Sequence, residues 1–300
     1  MFKNKKFDVE HALVLYALSY VTLPAEGLYD RKQLKTFEKL TKKCHIYIVG
    51  FVPKTEFVGP SVEGGNLRMS FRVLGKEHDL TWPVPAGVEV VDSPDGWLLS
   101  HDGKLRNLPS FDECTTRLNR EHGTGKFLVK YIGQAYGKNG SRNALDRLMK
   151  HEKLQEIAIK GVPEGYRFQV LMLAMDTGNT MVTMFNPHAE DTSQGDKRIG
   201  QGLDKLFGTT EKERVALYEA ALIRYFFPTF NAEFKDSFPS TNLRILQDCY
   251  EKDFSAVSAE ILFDDFPFTL YSEIAPAKHH HLAYFDLHDD KARKVFFAEP

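Results

Sequence analysis

Apolar positions along this chain change period several times, and each change marks an element. Ala12–Val21 is an almost unbroken apolar run preceded by Asp8, Glu10 and His11. It is read as a buried amphipathic helix that starts near Asp8 and runs through Ala12–Tyr20. A second helix is predicted from Asp30, because Leu34, Phe37 and Leu40 fall at helical spacing. Short β-rich runs follow at His45–Phe51, Leu67–Val73, Leu80–Trp82, Val88–Val91 and Trp97–Leu99, divided by Gly, Pro and Asp as in an antiparallel sheet. Gly103–Gly125 is polar and loop-like, with a short helix at Phe111–Leu118.

The pattern tightens from Phe127. Phe127–Gln134 is a strand, followed by the loop Gly137-Lys138-Asn139-Gly140-Ser141, with Ser141 as cap of a helix to about Ile159. Arg167–Asp176 and Met181–Phe185 are strands joined by a turn. The polar stretch His188–Gly202 is expected to be a mobile loop. Thr210-Glu211-Lys212-Glu213 has the form of a capping box opening a helix to about Phe227, stopped by Pro228. A short helix from about Asn242 and aromatic-rich strands at Ile261–Ser272 and Leu282–Leu287 complete the chain. The fold class expected is α+β in three segments: an N-terminal α+β region at 1–119, a compact core at 120–240, and a strand-rich extension at 241–300.

The 300 residues carry a formal net charge of −2, so no overall basic field points to a protein that coats nucleic acid. Charge is uneven, however. Lys126–Lys160 holds eight Lys or Arg against three Asp or Glu, a local +5 that suits phosphate contact and is equally what a solvated amphipathic helix shows. The three cysteines are far apart, with no zinc spacing or disulfide framework, which fits a reducing, cytoplasmic setting. The Ala12–Val21 run is too short to span a bilayer. Lys3, Lys5 and Lys6 mimic a secretory leader, but the acids that follow them do not.

One residue stands out physically. Glu219 has Val215, Leu222, Ile223 and Phe226 at the neighbouring positions of its helix face, so a carboxylate sits in the apolar stripe. A buried carboxylate must be neutralised, paired or bound to a cation. Arg147 is one available partner; a divalent metal is the other.

Tyr131-Ile132-Gly133 closes a strand, Arg147 and His151 stand four apart on the following helix, and the Glu219 helix ends at Pro228-Thr229-Phe230-Asn231. These pieces, in this order, resemble the GIY-YIG nucleases over about a third of the chain. The resemblance implies a small sheet flanked by helices and an endonuclease that hydrolyses phosphodiester bonds in DNA. A bacterial or phage restriction or defence enzyme is one setting for it. On that resemblance Glu219 would hold Mg²⁺ or Mn²⁺ and Arg147 would grip the phosphate. Tyr131 would orient or deprotonate water with help from Lys130 or His151, and Asn231 would position the Glu219 helix or a metal-bound water. Lys130, Lys138, Arg142 and Lys150 are the expected nucleic-acid contacts, and the flanking segments would supply target recognition. The alternative is a catalytically silent nucleic-acid-binding or interaction module.

The chain departs from that family where a GIY-like tripeptide should stand shortly before Tyr131. Candidate substitutes are Trp97, on the more distant strand Gly96–Leu99, and Tyr136. Gly123-Thr124-Gly125-Lys126 lacks the spacing of a phosphate loop and is taken as a turn. His279–His281 are taken as a polar strand edge, Asp264-Asp265 and Asp289-Asp290 as surface turns, and Lys197 and Arg198 as loop residues within reach of DNA.

Overall fold

The computed structural model describes residues 4–94, 96–137, 140–150, 152–176, 178, 180–240 and 243–296. The chain opens with β1 (Val9–Pro24), a single strand where a helix was expected. The reason is burial. β1 lies inside a sheet covered on both faces, so its apolar residues do not alternate with polar ones, and such a run has no period that separates it from a buried helix. The expected second helix exists as two short pieces, α1 (Arg31–Thr36) and α2 (Glu38–Thr41).

β2 (Cys44–Pro53) is buried along its whole length. After it the chain leaves the main sheet. β3 (Thr55–Glu63), β4 (Asn66–Val73) and β5 (Lys76–Pro83) form one three-stranded antiparallel sheet, and β6 (Glu89–Ser93), β7 (Gly96–His101) and β8 (Lys104–Asn107) form another. α3 (Phe111–His122), capped by Ser110, packs Cys114 and Leu118 on Leu67, Met69, Phe71 and Leu80, giving this insertion a small core of its own. Gly123, left-handed at φ 64°, ends α3, and Gly123–Gly125 link that helix to the strand that starts at Lys126.

The chain re-enters the main sheet with β9 (Lys126–Gln134). It continues through α4 (Ala144–Leu148), α5 (Glu152–Lys160), β10 (Tyr166–Met175) and β11 (Thr180–Phe185). α4 is capped by Asn143 through a capping box with Asp146, not by Ser141, and the expected single helix is two. Then come α6 (Gly195–Gly208), α7 (Glu211–Phe226), α8 (Arg244–Glu251), β12 (Ala256–Ile261), β13 (Thr269–Tyr271) and β14 (His281–Asp286). The Thr210–Glu213 capping box is present as predicted, and α7 stops at a left-handed Phe227 just before Pro228. Half of the expected mobile loop is α6, whose apolar face is too sparse to show as a helical pattern.

The eight-stranded mixed sheet runs β13-β9-β2-β10-β1-β12-β14, with β11 on the N-terminal half of β1. Strands from all three expected segments share it. One face packs on α7 and α8, the other on α1, α2, α4 and α5. The fold is α+β. Among the described residues no helix is long and apolar enough to cross a membrane.

Arg198, expected near DNA, is instead 3% exposed. With Arg293 it brackets Glu10, at 2.7 Å and 2.6 Å, and Asp253, while both guanidinium groups lie over the Phe7 ring. This cluster ties the start of β1 to α6, to the turn before β12 and to the C-terminal segment. Arg198→Ala would leave Glu10, wholly buried, one cation short. The expected loss is about 3–5 kcal/mol of unfolding free energy, read from urea denaturation.

Candidate functional site

The site grows from the pairing of β2 with β9. In register, Val49 faces Tyr131 and Gly50 faces Val129, so Lys130 is an extra residue in β9. This bulge shifts the alternation of side chains: Phe127, Val129 and Ile132 enter the core under α7, while Leu128 and Tyr131 turn to the opposite face. Gly50 permits it, since a Cβ there would lie 2.0 Å from the Leu128 carbonyl oxygen. Two residues on, Tyr47 pairs with Gly133. The Tyr47 ring lies against that glycine so closely that a Cβ would stand 2.4 Å from its hydroxyl. The glycine of Tyr131-Ile132-Gly133 is therefore the seat of a second tyrosine. Gly133→Ala is expected to push Tyr47 out of place and to cost about 1–3 kcal/mol, measurable by chemical denaturation.

Tyr47, 1% exposed, accepts a hydrogen bond from Arg147 at the end of α4 and shares one with Tyr131, whose ring centroid is 6.2 Å away. Burial raises both phenols above the usual tyrosine range, and Arg147 opposes that shift in each. Tyr47 was not among the residues singled out from the sequence. Of the substitutes that were, Trp97 lies in the separate β6–β8 sheet, and Tyr136 donates to Glu211 at 2.9 Å.

β13 covers β9 only at Lys126–Leu128, so the rest of that strand edge is open to other partners. The Phe230 amide donates to the Lys130 carbonyl at 3.0 Å. Asn231 brackets Ile132, accepting from its amide at 2.9 Å and donating to its carbonyl at 2.8 Å. The Asn231 side chain is thus a clamp between the corner after α7 and β9. The next amide on this edge, that of Gln134, donates to Glu219, as does the Gln134 side chain.

Glu219 is 9% exposed and accepts no salt bridge from Arg147, which points to Tyr47. Burial first, then the field of Glu233, pushes its carboxyl up to about 8, against the Gln134 hydrogen bonds that lower it. Tyr131, Lys153, Glu219, Phe230, Asn231 and Glu233 line one cleft of about 270 Å³ at the open edge of β9. Gln134, Lys153 and Glu233 join Tyr47 as residues the sequence did not flag. Among the described residues no group of three or more His, Cys, Asp or Glu side chains could hold a metal ion by itself.

The remaining expected residues divide. His151 and Lys138 lie outside the described residues. Arg147 is half-buried beside the tyrosines, Lys150 is exposed, and Arg142 is half-buried in the loop before α4. Lys130, 15% exposed in its side chain, is tied to Thr229 and Glu273 and is not a free cation for DNA. The three consecutive histidines do not converge: His280 pairs with Glu260 at 2.7 Å, while His281 is buried against the Leu270 and Lys278 carbonyls.

No family model matches the sequence, and neither a curated protein nor a solved structure matches the chain.

Proposed function

We propose that this protein is a divalent-metal-dependent endonuclease that hydrolyses phosphodiester bonds in DNA from a GIY-YIG-like site. The observation that carries this reading is that Tyr131 and Glu219 line one cleft at the open edge of β9, with Tyr47 buried behind Tyr131 and bonded to Arg147. The antiparallel pairing of His45-Ile46-Tyr47 with Tyr131-Ile132-Gly133 also supports it, since it supplies the tyrosine strand that the sequence lacked just upstream.

The residues present fit a hard cation. Glu219 is a buried carboxylate that lines an open cleft of mixed polar and apolar residues and, among the described residues, forms no ion pair with a cationic side chain. It would hold Mg²⁺ or Mn²⁺, which favour carboxylate and water oxygens. When bound, the metal neutralises charge on the phosphate and the leaving oxygen. Arg147 presents a forked donor to Tyr47 and to any phosphate above it. Tyr131 shares a hydrogen bond with Tyr47 and lines the cleft, where its hydroxyl would orient water. Asn231 keeps the corner after α7 against β9 and so fixes the distance between Glu219 and Tyr131.

The test is incubation with supercoiled plasmid in Mg²⁺ or Mn²⁺, with EDTA as control. Metal-dependent nicking or linearisation is expected. Retention of DNA in a gel-shift assay without cleavage of any substrate in any metal would instead identify a silent binding module.

A further inference from the structure

The cleft holds a carboxylate that the resemblance does not supply. Glu233 stands two residues after Asn231, so the clamp of Asn231 on Ile132 fixes the segment that carries it. Glu233 and Glu219 line the same cavity of about 270 Å³ and feel each other's charge. Among the described residues neither forms an ion pair with a Lys, Arg or His. The lysine of this cleft, Lys153, is held by Glu156 at 2.7 Å. Two carboxylates repel across a small cavity, and one of them is nine-tenths buried, its donors among the described residues being the amide and side chain of Gln134. A cation between them removes that repulsion.

We infer that Glu233 is a second carboxylate ligand of the divalent cation, so that the site is a Glu219–Glu233 pair completed by water and by a phosphate of the DNA. The inference rests on the nuclease reading for the identity of the phosphate, but cation binding itself needs no DNA. The chemistry selects the ion. A pair of carboxylates with no further protein ligand suits Mg²⁺ or Mn²⁺, which keep several waters, better than Ca²⁺ with its six to eight oxygens or Zn²⁺ with its nitrogen and sulfur ligands.

Mn²⁺ binding to the DNA-free protein, followed by the electron paramagnetic resonance signal of free Mn²⁺, separates the possibilities. Wild type, Glu219→Gln and Glu233→Gln are compared at low salt and in 1 M KCl, where charge fields reach only about 3 Å. Glu233 is exposed, so its variant keeps the fold, which melting curves check. Wild type is expected to bind one Mn²⁺. Glu233→Gln should bind at least about tenfold more weakly at both salt concentrations, the lower end of the cost of losing even an outer-shell partner. Equal affinity in wild type and Glu233→Gln, with loss in Glu219→Gln, would overturn the role of Glu233 and leave the metal site standing. A difference that disappears in 1 M KCl would overturn it too, because Glu233 would then act only through its field. Absence of Mn²⁺ binding in wild type would overturn the metal reading as a whole.

Discussion

Glu219→Gln is expected to abolish metal-dependent nicking while making the metal-free protein more stable at pH 8. The carboxyl sits among Val215, Leu222, Ile223 and Phe226, and burial holds it up to about 8 in the folded chain against 4.5 for a free glutamate. A carboxyl whose folded value is raised favours the native state in its protonated form. Its contribution is therefore fully present below about pH 4.5 and is lost as pH rises towards 8. Across that whole window the loss approaches about 5 kcal/mol as an upper bound. Glutamine has nearly the same shape, keeps the Gln134 amide as a donor and carries no charge to desolvate. In EDTA the melting temperature of wild type should fall from pH 5 to pH 8.5 relative to that of the variant. Other groups also titrate, His11 and His281 among them, but they are common to both proteins and cancel in the difference. Mn²⁺ should lift the wild-type melting temperature at pH 8 and leave the variant unmoved, because only an ionised carboxylate gains from a cation. A variant that nicks like wild type would refute the first half of this prediction, and one whose melting temperature tracks wild type at every pH would refute the second.

How much of this was legible beforehand follows from where each signal lies in the chain. Glu219 was legible because the capping box at Thr210–Glu213 fixes the helix start and the apolar neighbours fix its face. The anomaly is local, within a few turns. β9 and β10 were legible for the same reason, each being a strong run bounded by polar turns. β1 was not, since a strand at the centre of a doubly covered sheet lacks the alternation that would separate it from a helix. Tyr47 was hidden differently. His45-Ile46-Tyr47 was correctly read as part of a strand, but its partner lies across the whole β3–α3 insertion, and a register between such distant strands leaves no trace in local pattern. Its one signal was a tyrosine on a strand that is otherwise apolar from Ile46 to Phe51. Lys130 misled for a related reason: next to Tyr131 in sequence, it is the extra residue of a bulge and turns towards Glu273.

Tyr47→Phe should lower nicking by about 10²-fold or more, the lower range for loss of a group that handles a proton, while the fold survives. Phenylalanine fills the same space against Gly133, so the packing that seats the ring is kept. What disappears is one oxygen with two bonds: it accepts from Arg147 and shares a hydrogen bond with Tyr131. Arg147 then loses its bond to Tyr47, and Tyr131 loses the hydroxyl that it shares a hydrogen bond with. The stability change is limited to the net worth of those bonds, about 1–2 kcal/mol. Tyr136→Phe is the matched control. It removes a tyrosine hydroxyl near the same strand end, but one bonded to Glu211 at the start of α7, so nicking should persist. If Tyr136→Phe silenced the enzyme and Tyr47→Phe did not, the catalytic pair would have to be rebuilt around the Glu211 end of α7, and the role given to the β2–β9 pairing would fall.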